Sequence, residues 1–339
     1  MRIAWVVSAQ HLESTPRGLY SSVASYRYRM IIPATELKKR GHQVAAIGAS
    51  PAAGGYEYAV QQLQDLDVVV FGKMTDSMEL QARLVSAARE AGIRVVVDVC
   101  DDHFADDAIG ERYRTVVASA DAVSVSSGFL AERIAGMTGR SATVIKDSYE
   151  GARGAPRWAP GSQVEALWFG HPRNLEGLAR SLGVIAGSGI RMRLVVVTGG
   201  TPEVLDWHGR VRTAVKRNID LEFREWSLEA TAQALQASDV VLLPIDRENR
   251  FSLSKGPDRV VESLWAGRLV LAHPIPAYEE FSAWAWIGED LMEGLRWAID
   301  HRSEVVARIA RAQEFIGARY SPQVIAERWE SFCAEVRAA

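Results

Sequence analysis

Cysteine is nearly missing from this chain: two residues, Cys100 and Cys333, in 339. Two thiols build no disulfide framework, and they supply no structural zinc site without several histidines in support. Long apolar runs are missing too, since nothing approaches the ~18–20 residues of a membrane span. The opening apolar stretch, residues 3–7, meets Ser8, Gln10 and His11 at once, which is too short for an export signal. Charge of one sign is also lacking. Thirty-nine Lys and Arg stand against 42 Asp and Glu, a net of −3, so no field recruits nucleic acid or anionic lipid. Low-complexity segments and short repeats do not occur. Neither do the P-loop, the G-x-G-x-x-G fingerprint, H-E-x-x-H or G-x-S-x-G, which argues against an NTPase, a dehydrogenase, a zincin and an α/β-hydrolase together. These absences describe a soluble protein of a reducing cytoplasm that does not bind nucleic acid.

What the chain does contain is 48% hydrophobic and 24% charged residues, over a length that predicts about two domains at ~150 residues each. Short apolar runs alternate with segments of helical period. The runs are 3–7, 44–47, 68–71, 95–99, 122–125 and 143–145, then 165–169, 193–197, 221–223, 240–243 and 269–272. Val-Val-Val at 68–70, 95–97 and 195–197 is apolar on both faces, as in a parallel strand covered above and below by helices. Amphipathic helices are expected at 25–40, 76–91, 228–237 and 257–266, three of them followed by Gly41, Gly92 and Gly267 as left-handed C-terminal residues. Repeated βα units predict a doubly wound α/β fold.

The rhythm breaks at 148–163, where three Gly and two Pro occur without period, which reads as an interdomain linker. This predicts a first Rossmann-like domain over 1–150 and a second over 164–320. From residue 287 onward only helices are expected, with 321–339 as a terminal helix. Two such lobes make a cleft, with ligands at the carboxyl ends of the strands. Loops that follow strands are therefore where chemistry is sought.

The strongest element is 244–267, P-I-D-R-E-N-R-F-S-L-S-K-G-P-D-R-V-V-E-S-L-W-A-G, containing Asp246 and Ser254. A buried strand ends in a polar loop and a helix opens at Pro257, whose free N–H groups and positive dipole end suit an anion. Lys255 just before that helix and Arg259 in its first turn would meet a diphosphate, and Glu262 would accept from a ribose diol. The bland alternative is a surface helix with an Arg–Glu pair.

At 167–177, Gly170 would bring backbone close to a ligand, Arg173 and His171 would face the same crevice, and Asn174 would cap the helix. Trp226, after the strand at 221–223, offers a ring to a nucleobase or simply packs. In the first half, Asp101, Asp102 and His103 close a central strand and are the best acid–base candidates there; a metal cluster with Asp106 and Asp107 is an alternative. The long loop 9–24 holds His11 and Arg17 and leads to Arg27 and Arg29, which would either bind an anionic acceptor or bridge helices. Asp65-Leu66-Asp67 precedes its strand and reads as a solvated turn.

Taken together, Y-R-x-R-x-x-x-P-A-x-x-L-x-x-x-G-H-x-V at 26–44, D-V-C-D-D at 98–102, S-A-D-A-V-S-V-S-S at 119–127, F-G at 169–170, P-I-D…K-G-P-D-R-V-V-E-S-L-W-A-G at 244–267 and P-A-Y-E-E-F at 276–281 resemble a GT-B glycosyltransferase of the family 4 type. The resemblance spans essentially the whole chain. It implies two Rossmann-like domains facing across a cleft, acceptor domain first and donor domain second, with the terminal helix crossing back to the first. It implies transfer of a sugar from a nucleotide-diphosphate sugar to a glycan, lipid-linked or small-molecule acceptor, in the cytoplasm, with at most peripheral membrane contact. Polysaccharide biosynthesis is the implied setting.

By the same resemblance Glu262 matches the second acid of the E-x7-E signature, which holds the donor ribose. The first acid is Ser254 here, so the position that helps hold the transferred sugar differs, and with it the basis for retained anomeric configuration. Lys255 and Arg173 match cationic positions that neutralise the diphosphate. Asp102 or His103 lies where members place a polar residue near the sugar, and His11 where inverting GT-B enzymes keep a base. No cofactor and no metal are implied, because cations and a helix end stabilise the leaving group. Closure about 148–163 would exclude water. Two rivals share these features: a GT-B-type nucleotide-sugar epimerase, and a two-lobed sugar-binding protein without catalysis.

Overall fold

The computed structural model describes every residue except Arg17, Arg247 and Asn249, and the side chain of Arg250. The chain forms two compact units. Unit 1 comprises Met1–Glu150, Ser254–Gly256 and Arg319–Ala339; unit 2 comprises Gly151–Leu253 and Pro257–Ala318.

Unit 1 is built on β1 (Arg2–Ser8), β4 (Gln43–Ala49), β5 (Val68–Phe71), β6 (Arg94–Val99), β7 (Ala122–Val125) and β8 (Thr143–Val144), with a small separate hairpin of β2 (Glu13–Thr15) and β3 (Gly18–Tyr20). The six strands are all parallel in the order β4-β1-β5-β6-β7-β8. Alternation along β1 divides its side chains between two cores. Ala4 and Val6 pack with Leu84, Val85 and Val117, whereas Ile3, Trp5 and Val7 pack with Leu37, Ile325 and Trp329. The second layer includes the terminal helix Pro322–Ala338, whose Trp329 meets Trp5 edge to face at 5.4 Å between ring centroids.

The helical stretch after the hairpin is continuous but not uniform. Ala24–Tyr26 and Ile32–Lys39 are α-helical, and Arg27–Ile31 between them is a π-turn that buries Arg27, Tyr28, Arg29 and Met30. Its Gly41 takes φ +87°, and Gly92 and Gly267 take +74° and +80° after their helices, as the helical pattern predicts. The expected loop 9–24 is interrupted by the β2–β3 hairpin, whose side chains are mostly exposed and leave little apolar pattern in the sequence.

Unit 2 repeats the plan with β9 (Val164–Phe169), β10 (Met192–Thr198), β11 (Ile219–Glu225), β12 (Val240–Leu243), β13 (Leu269–Ala272) and β14 (Trp286–Ile287), parallel in the order β11-β10-β9-β12-β13-β14. The two-residue β14 corrects the expectation that no strand occurs from residue 287 on; two residues carry too little periodicity to be read. It survives because Gly294, on the helix Leu291–Asp300, has no side chain. A Cβ there would lie 2.3 Å from the Trp286 ring. Ahead of β9, residues 151–163 form neither helix nor strand. Part of this stretch is tied to the core, since Gly154 N–H donates to the Trp265 carbonyl and Arg157 N–H to that of Gly267.

Candidate functional site

In a parallel sheet the loops after the strands share one edge, and a crevice opens where the strand order reverses. In unit 2 the reversal lies between β9 and β12. Two of the expected segments lie there, the 170–177 loop and the 244–246 loop, and they pack closely. A Cβ on Gly177 would come within 2.7 Å of the Pro244 carbonyl oxygen.

Gly170 continues β9. Its N–H donates to Val197 and its carbonyl accepts from the Thr198 hydroxyl at 2.7 Å. Its φ is not positive, and an added Cβ would make ordinary contacts with Arg259 and Trp168. Arg259 is buried, with Nη1 3.5 Å from the Phe169 carbonyl. It stands in the helix Asp258–Trp265, for which Pro257 is the N-cap residue and not the first helical one. Pro257 carries no side-chain acceptor, so the N-cap residue itself does not cap the first turn.

One turn on, Glu262 is also buried, and its Oε2 accepts the Gly151 N–H at 3.2 Å. A guanidinium and a carboxylate thus share one helix face. Asp246 pairs with Arg180 at 3.2 Å. Arg173 is exposed, and its N–H donates to Nδ1 of His171, so His171 caps the turn Pro172–Asn174. The cap expected from Asn174 is not made. Trp226 follows the edge strand β11, its N–H on the Thr198 carbonyl, and is half-buried. One strand, β10, separates β11 from β9 in the sheet.

In unit 1 the reversal lies between β1 and β5. His11 closes the turn after β1, its Nε2 4.0 Å from Asp76 in the loop after β5, while Asp76 also accepts from the Ser8 hydroxyl at 2.7 Å and from Gln10. The next strand, β6, delivers Asp101, Asp102 and His103. Asp101 is buried and shared between two ammonium groups, Oδ1 to Lys255 and Oδ2 to Lys73, each at 2.6 Å. Burial alone would raise its carboxyl, but Lys255 and then Lys73 more than offset this and hold it well below the usual carboxylate range. Asp102 accepts from Arg133 Nε at 2.9 Å. Among the described residues, no three His, Cys, Asp or Glu side chains converge as metal ligands, Asp101–Asp107 included. Ser254, next to Lys255, is fully buried, its carbonyl 3.5 Å from the Ser127 hydroxyl.

His103 sits 4.0 Å from Asp101 and edge-on to Tyr113. Burial lowers its pKa; Asp101 opposes this, and Lys73 and Lys255 reinforce it. The native imidazole therefore resists a proton that the unfolded one accepts near ~6.5. The stabilising difference is complete above that pH and declines as pH falls through it. Unfolding in urea from pH 8 to 5 should show a steeper acid-side loss for the wild type than for His103→Gln; parallel curves would contradict the burial.

The acceptor candidates fare differently. Arg17 lies outside the described residues. Arg27 binds Glu150 at 2.8 Å and the Ser21 carbonyl, and Arg29 is buried with Asp98 and Asp147 at 2.6 and 3.0 Å and with the Ile145 carbonyl. Arg29 is thus an internal tie and not a surface cation, because the π-turn directs it into the fold. Lys73, Asp76 and Arg133 escaped the sequence reading. The rule that chemistry follows strands would have found the first two, since K-M-T-D comes directly after Gly72 at the end of β5.

No family model and no curated protein matches the sequence. Solved structures do match. Over 99% of this chain and 100% of its own, HepE from Anabaena, solved with UDP, superposes with a TM-score of 0.71 at 13% identity. A glycosyltransferase from Rickettsia africae gives 0.70 at 11% identity over 99% and 98% of the two chains. The catalytic domain of starch synthase IV from Arabidopsis thaliana, bound to ADP and acarbose, gives 0.71 at 8% identity over 100% and 99%.

The chain has the GT-B fold. Its two six-stranded parallel sheets are the two Rossmann-like domains of that fold. At these identities the match speaks to the GT-B backbone and not to the side chains. Among the described residues, no helix is long and apolar enough to cross a membrane.

Proposed function

We propose that this chain is a family 4-like glycosyltransferase, moving a sugar from a nucleotide-diphosphate sugar to a glycan, lipid-linked or small-molecule acceptor in polysaccharide biosynthesis. One observation carries the reading: at the strand-order reversal of unit 2, Gly170 follows β9 beside the helix Asp258–Trp265, which carries a buried guanidinium and a buried carboxylate one turn apart. Arg259, Arg173 and the helix end oppose the charge that grows on the departing diphosphate, and Lys255 adds an ammonium. Glu262 accepts from the ribose hydroxyls, and Trp226 and Asp246 border the nucleoside. This is electrostatic stabilisation by cationic side chains and a helix end, and it requires no divalent ion. That HepE was solved with UDP and starch synthase IV with ADP agrees with such a donor.

The domain around 1–150 takes the acceptor, with Asp101, Asp102 and His103 near the transferred sugar, and the outcome is retention. A second reading has its own observation. His11 beside Asp76 forms an imidazole–carboxylate pair suited to a general base, which would give inversion. The protein works in the cytoplasm, at most peripherally on a membrane.

A thermal-shift screen against UDP, GDP, ADP, dTDP and CMP tests the reading. One diphosphate at a hundred times its Kd should stabilise the protein by ~2.7 kcal/mol. The shift should persist in EDTA and shrink in Glu262→Ala. No shift with any of the five would remove the donor assignment. Product analysis with and without acceptor separates transfer from epimerisation, and the product anomer separates retention from inversion.

A further inference from the structure

Lys73 belongs to none of the sequence motifs, yet it shares a carboxylate with Lys255. Its backbone is held in place on both sides. The Tyr26 hydroxyl donates to the Lys73 carbonyl at 2.8 Å, the Gln81 amide donates to the Gly72 carbonyl at 3.1 Å, and Gly72 N–H donates to Val6 at 3.0 Å. Tyr26 is fixed in turn, because its oxygen accepts the Ser8 N–H at 3.1 Å. The ammonium of Lys73 is thus delivered from a preset position onto Asp101 Oδ2, while Lys255 takes Oδ1.

We propose that Lys73 is a positioning residue that releases Lys255 to the donor diphosphate by holding the Asp101 carboxylate in its place. The inference rests on the glycosyltransferase reading above and specifies how its ammonium group becomes available. Asp101 is buried, and a buried carboxylate stripped of its partner is strongly unfavourable. With Lys255 alone, each diphosphate would have to compete against that whole penalty. With Lys73 in place, Lys255 can swing its flexible, one-quarter-exposed side chain to an incoming anion and leave an intact Lys73–Asp101 pair behind. Asp101 then acts as a counter-ion that parks Lys255 between turnovers, and Lys73 sets how tightly it does so.

The test measures by calorimetry the affinity for inorganic pyrophosphate, and for whichever of the five nucleotides binds, in wild type, Lys73→Met, Lys73→Arg, Asp101→Asn and Lys73→Met/Asp101→Asn. Lys73→Met should weaken both ligands at least tenfold and Lys73→Arg should not. Asp101→Asn should bind as tightly as wild type or more so. The double variant should match Asp101→Asn, because without the carboxylate Lys255 needs no release. A structural defect at residue 73 would not be repaired in this way. Unchanged affinity in Lys73→Met, or a double variant as weak as Lys73→Met, overturns the inference. If a nucleotide binds and depends on Glu262 while Lys73→Met is silent, this inference alone falls; if none binds the wild type, the donor reading falls first.

Discussion

Arg29→Met is expected to destabilise unit 1 by about 3–5 kcal/mol, the usual result when one partner of a buried ion pair is removed. Arg29 is 3% exposed and the side chain of Asp98 only 2%, so neither charge has water to fall back on. Burial by itself would lower the guanidinium pKa, yet Asp98 and Asp147 together raise it, so the site favours a charged Arg29. Asp98 also accepts from the Ser124 hydroxyl at 2.6 Å, and that single bond cannot compensate a carboxylate left alone in mid-strand. At roughly 2–4 °C per kcal/mol for a domain this size, the melting transition should drop by ~6–20 °C. Arg29→Met/Asp98→Asn should recover a large part of the loss, since the charge that was stranded is then also gone. A single variant within ~1 kcal/mol of wild type in urea unfolding would mean that the cluster is not desolvated.

The second large effect concerns turnover. Arg259→Ala should lower kcat by ~10²–10³, the range seen when one fixed donor to a developing negative charge is lost. Glu262→Ala should instead act mainly on KM for the donor, because hydrogen bonds to a ribose are made equally in the ground and transition states. The contrast between the two variants carries the information, since both residues are buried on the same helix and a general loss of structure would depress both parameters in both. Steady-state kinetics against donor concentration, with circular dichroism as a folding control, decides it. Identical kcat and KM patterns would remove the separate roles assigned to the guanidinium and the carboxylate.

The strands were legible because a parallel strand covered on both faces must be apolar on both, and Val-Val-Val at 68–70, 95–97 and 195–197 leaves no other economical reading. The helix ends at Gly41, Gly92 and Gly267 were legible because only glycine takes positive φ without strain. The hairpin Glu13–Tyr20 and the two-residue β14 were not, the first being mostly exposed and the second too short to show a period. For Arg27 and Arg29 the sequence leaves an anion site and a bridge between helices equally open. A π-turn shifts side-chain direction by part of a turn, and composition gives no sign of it.

The candidate site divides along the same line. Sequence order alone put Gly170 after a strand and Arg259 and Glu262 one turn apart on a helix, because those relations are local. It could not show that Lys73, Asp101 and Lys255 share one carboxylate, since 28 and 154 residues separate the partners. Nor could it place Trp329 on Trp5 or the Glu262 carboxylate on Gly151. Local spacing fixes which groups ride on the same strand or helix face. Which distant charges end up sharing a buried volume is settled only when the sheets close, because burial is what makes an unpaired charge costly and so selects its partner.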